Sequence, residues 1–211
     1  MRILLAALCA SALSAGTITV AGVGYGRADV VLVTPNGGQY TAYATEIRVL
    51  KDGQSVLAYC VDLFTSIGMN TYNSVTGRPD GYQSGERAAW LFENYAGLVR
   101  SNENAAALQL ALWDVVHDNG DGFQSGLIQL GTSETILRAA AETLVLNSVG
   151  QGSLNAAILY NFEIGTDRRM QSLVTGLPPQ GVETPEPATM VLIGLGLAAS
   201  YGFQRWRRSQ T

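Results

Sequence analysis

Residues 101–117 read SNENAAALQLALWDVVH. Ser101 is a natural helix cap, because its hydroxyl can accept a hydrogen bond from a backbone N–H in the first turn that has no partner inside the helix. Leu108, Leu112 and Val115 then fall on one stripe, and Ala105, Trp113 and Val116 widen that stripe nearly all the way round. The spacing predicts a helix over 102–117, ended by Asn119-Gly120, and a helix apolar on almost every side must be enclosed by other elements. Gln109 sits inside this run, one turn before Trp113. A primary amide in such surroundings finds hydrogen-bond partners or costs about 1–3 kcal/mol.

Outward from this helix the pattern alternates between helix and strand. Ser84 is placed to cap a helix through Ala88, Ala89, Trp90, Leu91 and Phe92, with Gly97 as its stop. A third helix is predicted over 133–147, with Ile136, Leu137, Ala140, Leu144 and Val145 on its buried side. On the N-terminal side, 30–33, 40–50 and 55–62 are β-rich, with turns at Gly37-Gly38 and Asp52-Gly53. Asp52-Gly53 between two such runs predicts a hairpin, with Cys60 near the end of its second strand. The alternation in 40–50 does not choose a core face. Residues 156–162 and 169–175 return to strand character. The fold class is α+β, a single domain with β-strands flanking a helical insertion.

Both ends are too apolar for a soluble core. Residues 1–28 have the form of a signal peptide: Arg2, a nearly uncharged stretch to Val23, then Gly26-Arg27-Ala28 with small residues where a signal peptidase reads. This places the mature start at Asp29, with an earlier cut near Ala15 as the alternative. The body spans 29–176 and a linker 177–187, which ends in Pro185-Glu186-Pro187. Residues 188–204 form an apolar run, and 205–211 carry Arg205, Arg207 and Arg208. As a helix the run reaches roughly 24 Å, short of a ~30 Å hydrocarbon core, with the arginines on the cytoplasmic side.

This three-part end resembles the PEP-CTERM sorting signal of Gram-negative bacteria. The resemblance implies passage through the inner membrane, recognition by an exosortase, cleavage near Pro185-Glu186-Pro187 and delivery to the cell surface or extracellular matrix, often in biofilm-forming organisms. Such a tail is an address and leaves the work of the body open.

A formal net charge of −4 without a basic stripe argues against nucleic acid as a partner. With Cys9 in the signal peptide, the mature chain holds Cys60 alone, so no disulfide forms within it. A single thiol in an oxidising compartment is a bridge to another chain, a reactive group or a buried inert side chain.

Tyr59-Cys60-Val61-Asp62 resembles the aromatic-Cys-aliphatic-Asp motif of bacterial thioester domains, and Leu108-Gln109-Leu110-Ala111-Leu112-Trp113 resembles their Gln motif. The resemblance implies an internal thioester joining the Cys60 and Gln109 side chains, with Asp62 and Trp113 as supporting residues. It implies covalent adhesion to a nucleophile, a lysine amine or sugar hydroxyl, on a surface protein or polysaccharide. The alternative is a non-covalent structural component of the matrix whose Cys60 is unreactive. No enzyme activity, cofactor or metal is expected. A cysteine hydrolase using Cys60, His117 and Asp114 or Asn119 lacks the local motif, and His117 reads as a cationic side chain at a helix C-terminus. Residues 118–122, Asp-Asn-Gly-Asp-Gly, miss the EF-hand spacing and read as a polar turn.

Overall fold

The computed structural model describes residues 14–33 and 36–176. Seven strands and three α-helices occur among them: β1 (Ser14–Val33), β2 (Gln39–Lys51), β3 (Gln54–Cys60), β4 (Thr71–Gly77), α1 (Gly85–Tyr95), α2 (Asn102–His117), β5 (Gln129–Leu130), α3 (Thr135–Asn147), β6 (Ala156–Glu163) and β7 (Leu173–Gly176). The strands form one antiparallel sheet ordered β2-β3-β7-β6-β4-β1-β5, and β1 also pairs with β2. The pairings among β1, β2, β3, β7, β6 and β4 therefore run in a closed cycle. The sheet dominates the fold, and the helices occupy the crossover between β4 and β6, as the expected order of strands, helices and strands required.

The long first strand makes the cycle possible. Its N-terminal part, from Ser14 to Thr19, pairs with β4, while Ile18 to Val33 pairs with β2. Three register shifts along the second pairing bend the strand so that one chain segment serves both neighbours. Ile18, Val20, Val30 and Leu32 enter the core from it. Arg27 donates to both carboxylate oxygens of Glu134, at 2.8 and 3.3 Å, which ties β1 to the start of α3. The folded body thus extends upstream of Asp29: residues 14–28, expected to leave with the signal peptide, form the first half of β1. Periodicity could not reveal this, because a strand with a single charge, buried on one side, and an apolar leader have much the same composition. The expected membrane run and basic tail lie outside the described residues. Among the described residues no helix is long and apolar enough to cross a membrane.

Strand β2 changes its inward side along its length. Ala42 and Ala44 are buried, then Thr45, Glu46 and Ile47, then Val49. That switch is why alternation in the sequence could not choose a face. The β2–β3 hairpin forms as expected, with Asp52 and Gly53 at φ 52° and 78°, the two left-handed residues that match the twist of the flanking strands. Helix α2 is buried from Ala105 to Val116 and packs against α1, α3, β1 and β2. Ser101 accepts from the Asn104 N–H at 3.2 Å, so this cap is real. Ser84 instead adopts φ 50° without a side-chain cap bond, and α1 ends at Tyr95 before a 3-10 turn over Ala96–Leu98. On α3, Leu137, Ala141 and Val145 face the core while Ile136 is 82% exposed, so its buried stripe is rotated from the expected one.

A chain beginning at Asp29 loses the β4 pairing and two core side chains of β1. It is expected to lack the cooperative thermal transition, followed by circular dichroism, that a chain beginning at Ser14 retains. N-terminal sequencing of the exported protein should accordingly find a start upstream of Ile18.

Candidate functional site

Cys60 is the last residue of β3, held between β2 and β7. Helix α2 passes beside it and presents Gln109, which is fully buried. The Cys60 backbone N–H donates to Gln109 Oε1 at 2.9 Å, and Gln109 Nε2 donates back to the Cys60 carbonyl at 2.7 Å. The carboxamide therefore lies against the peptide of Cys60 through a reciprocal pair, and the amide that the sequence left without partners finds them there. Each bond contributes about 0.5–1.5 kcal/mol net, but removing the carboxamide leaves two buried backbone groups unpaired. The Cys60 N–H polarises the Gln109 carbonyl as an oxyanion donor would.

Cys60 is 5% exposed. Burial, and then the charge of Asp62, push its thiol well above the usual cysteine range, so it is protonated at neutral pH. Cys60 lines an open cleft of about 480 Å³, with Tyr40, Tyr43, Met69, Trp113 and Gln171 among its other walls. Trp113 stands one turn beyond Gln109 and is buried, and its indole N–H has no hydrogen-bond partner among the described residues. Cys60, Gln109 and Trp113 are thus brought together as a group.

The segment after Cys60 is fastened from several sides. Asp62 accepts from the Phe64 N–H at 3.1 Å and the Thr65 hydroxyl at 2.8 Å, closing a turn. Its carbonyl accepts from Gln171 Nε2 at 2.6 Å, and the Val61 N–H donates to the Ser172 carbonyl at 3.0 Å. Asp62 therefore shapes the backbone beside the thiol. His117, at the end of α2, accepts the Leu63 N–H on Nε2 at 3.2 Å and meets the Phe64 ring edge-on. Burial lowers its pKa, so the imidazole is a neutral acceptor, in contrast to the cationic helix-end residue expected from sequence. Its Nε2 is committed to Leu63, and Asp114 turns to the Gly122 N–H at 3.3 Å.

Three further residues at the site escaped sequence reading. Glu46 is 6% exposed and accepts from the Tyr59 hydroxyl at 3.1 Å and the Tyr25 N–H at 3.0 Å, which fixes the aromatic residue next to Cys60. Burial and Glu46 raise the Tyr59 pKa. Gln171 and Ser172 reach the site from the segment before β7. Glu46 lies on β2 and Gln171 just before β7, and the pairing of both strands with β3 brings these residues to Cys60.

Residues 183–208 match the PEP-CTERM protein-sorting motif, which implies an exported protein that passes a membrane and is processed by an exosortase. No curated protein matches the chain. Among solved structures, the N-terminal domain of the Streptococcus pyogenes pilus tip adhesin Cpa is similar at 13% identity, over 74% of this chain and 98% of that one, with a TM-score of 0.39.

Two outcomes follow from these contacts. Gln109→Met, close in size but unable to hydrogen-bond, is expected to lower the unfolding free energy by about 2–4 kcal/mol in urea titrations. Because burial lowers the His117 pKa, the unfolded chain takes up this proton first. Its contribution is complete above about pH 6.5 and falls away in acid. Asp114, pushed up to about 7 chiefly by burial, acts in the opposite direction. The His117 effect is therefore read as the difference between wild type and His117→Gln, which should narrow from pH 7.5 to pH 5.

Proposed function

We propose that the body forms an internal thioester between the sulfur of Cys60 and the side-chain carbonyl carbon of Gln109, and uses it to attach the exported protein covalently to a partner surface. The observation that carries this reading is the reciprocal hydrogen-bond pair between the Gln109 carboxamide and the Cys60 peptide. It fixes the orientation of a poor acyl donor against the backbone of the thiol residue, and orientation is what an amide needs in order to react.

In the first step the Cys60 sulfur attacks the Gln109 carbonyl carbon. The developing oxyanion stays on the Cys60 N–H, the C–N bond breaks, and the thiol proton leaves with the nitrogen as ammonia. Because the thiol is neutral in its buried setting, proton transfer to the departing amine accompanies attack. In the second step an amine or hydroxyl of the partner enters through the cleft and attacks the thioester carbonyl. An amide or ester to Gln109 forms, and the sulfur departs as the Cys60 thiol. Cys60 lines this open cleft, which gives a nucleophile a route toward it. Lys51, the chain's single lysine, is paired with Asp52 at 2.9 Å, so self-attachment has little to draw on.

Sorting completes the reading. The apolar run 188–204 holds the precursor in the inner membrane of a Gram-negative cell, an exosortase cuts near Pro185-Glu186-Pro187, and the body reaches the cell surface or a biofilm matrix. The second reading, a non-covalent matrix component, draws on the upward push on the Cys60 thiol, which disfavours the thiolate.

Intact mass of the protein, purified away from amines, separates the two. A thioester gives a mass about 17 Da below the sequence value, and methylamine then raises it to about 14 Da above that value. Cys60→Ala should remove both changes. A full sequence mass with a titratable thiol after denaturation would sink the covalent reading.

A further inference from the structure

Helix α2 carries a second buried polar side chain, one that the thioester chemistry does not use. Asp114 is fully buried, and among the described residues nothing donates a hydrogen bond to its Oδ1. One oxygen each of Asp114, Asp118 and Asp121 lie within 4.8 Å of one another. The nearest cationic side chain, Arg87, spends its guanidinium on the Ser148 hydroxyl and the Asn119 and Val145 carbonyls, at 2.8, 2.8 and 2.9 Å. It forms no ion pair with the three acids among the described residues. Asp114 Oδ2 accepts only the Gly122 N–H at 3.3 Å among the described residues, and a buried carboxyl oxygen left without a donor beside two further acids is costly.

We propose that Asp114, Asp118 and Asp121 bind one divalent cation of the calcium type. The donors are all hard carboxylate oxygens, which select calcium or magnesium over zinc or copper. Coordination geometry then favours calcium, which accepts an irregular set of protein oxygens, whereas magnesium demands a near-ideal octahedron and keeps several waters. The three oxygens converge within 4.8 Å of one another, close enough for one ion to touch all of them. Gly126 borders the same space: a Cβ there would come within 2.8 Å of Asp118 Oδ2 and 3.0 Å of Asp121 Oδ1, so only glycine leaves the two oxygens room to converge.

The loop is built around this point. Asp118 also accepts from the Leu127 and Ile128 N–H groups, at 2.8 and 2.7 Å, folding 118–128 back on the end of α2. A cation would fix this loop to the helix that carries Gln109 and His117. The spacing 118–122 misses the EF-hand because the third ligand comes from the helix upstream, at Asp114, and not from within the loop.

The test uses the full chain in mild detergent, first stripped with EDTA, with calcium chloride as the ligand and magnesium chloride as the control. Isothermal calorimetry is expected to find one calcium per chain, with a dissociation constant on the order of 10⁻⁴–10⁻³ M as in extracellular modules, and a rise in the melting temperature that magnesium does not match. Asp121→Asn, at an exposed position, should weaken binding by roughly tenfold or more and, because it relieves repulsion among the acids, should not lower the calcium-free melting temperature. Asp118→Asn should weaken it as well. Absence of calorimetric binding at millimolar calcium, or binding that neither substitution changes, would overturn the proposal. The readout needs no thioester, so its failure and that of the covalent reading are distinguishable.

Discussion

The reciprocal hydrogen bonds between the Gln109 carboxamide and the Cys60 peptide are the constraint around which the rest of the body is arranged. An enclosed helix has no external means of satisfying a polar side chain, and a strand end has backbone groups its neighbours do not reach. Each solves the other's problem here, with both partners at or near zero exposure. Because an unpaired amide or peptide group costs about 1–3 kcal/mol when buried, the pairing fixes both the rotation of α2 and its position along β3. Helix and sheet are thereby locked in register at one point.

Other features of the site take their position from that point. Once Gln109 faces Cys60, Trp113 falls beside the thiol one turn later, and His117, another turn on, reaches Leu63 in the segment that follows Cys60. Asp62, Gln171 and Ser172 close the same segment from the sheet side. The buried stretch of α2 from Ala105 to Val116 contains two polar residues, Gln109 and Asp114. Five residues apart on a helix, they point roughly 140° away from each other. One is answered by the sheet, the other by the loop 118–128. A buried stretch otherwise made of Ala, Leu, Val and Trp thus carries two specific polar contacts on different sides.

Local signals in the chain were legible in proportion to how little they depended on distant partners. The Asp52-Gly53 turn, the Ser101 cap and the limits of α2 rest on contacts within a few residues, and all appear where expected. The first half of β1 has the composition of an apolar leader, and its strand partners, from Ala44 onward, lie too far along the chain for a local pattern to reveal them. Strand β2 showed no core face because the face changes midway, at a place set by its pairing with the irregular β1. The buried stripe of α3 runs through Leu137, Ala141 and Val145, rotated from the expected one enough to turn Ile136 outward. Glu46 and Gln171 carry no local mark at all, since a buried acid and a buried amide are recognised only by what surrounds them.

What the sequence determined by itself was the presence of an enclosed helix with one unsatisfied amide, a thiol at a strand end, and a sorting signal at the C-terminus. These follow from residue type and spacing, and spacing along a helix or strand is a property of the local chain. That the amide meets the peptide of the thiol residue was decided by the tertiary structure. So were the closure of the strand pairings through residues 14–28 and the meeting of Asp114 with Asp118 and Asp121. Each of these depends on which surfaces pack together. Packing is settled by the summed burial and hydrogen bonding of the whole body, which no short segment carries.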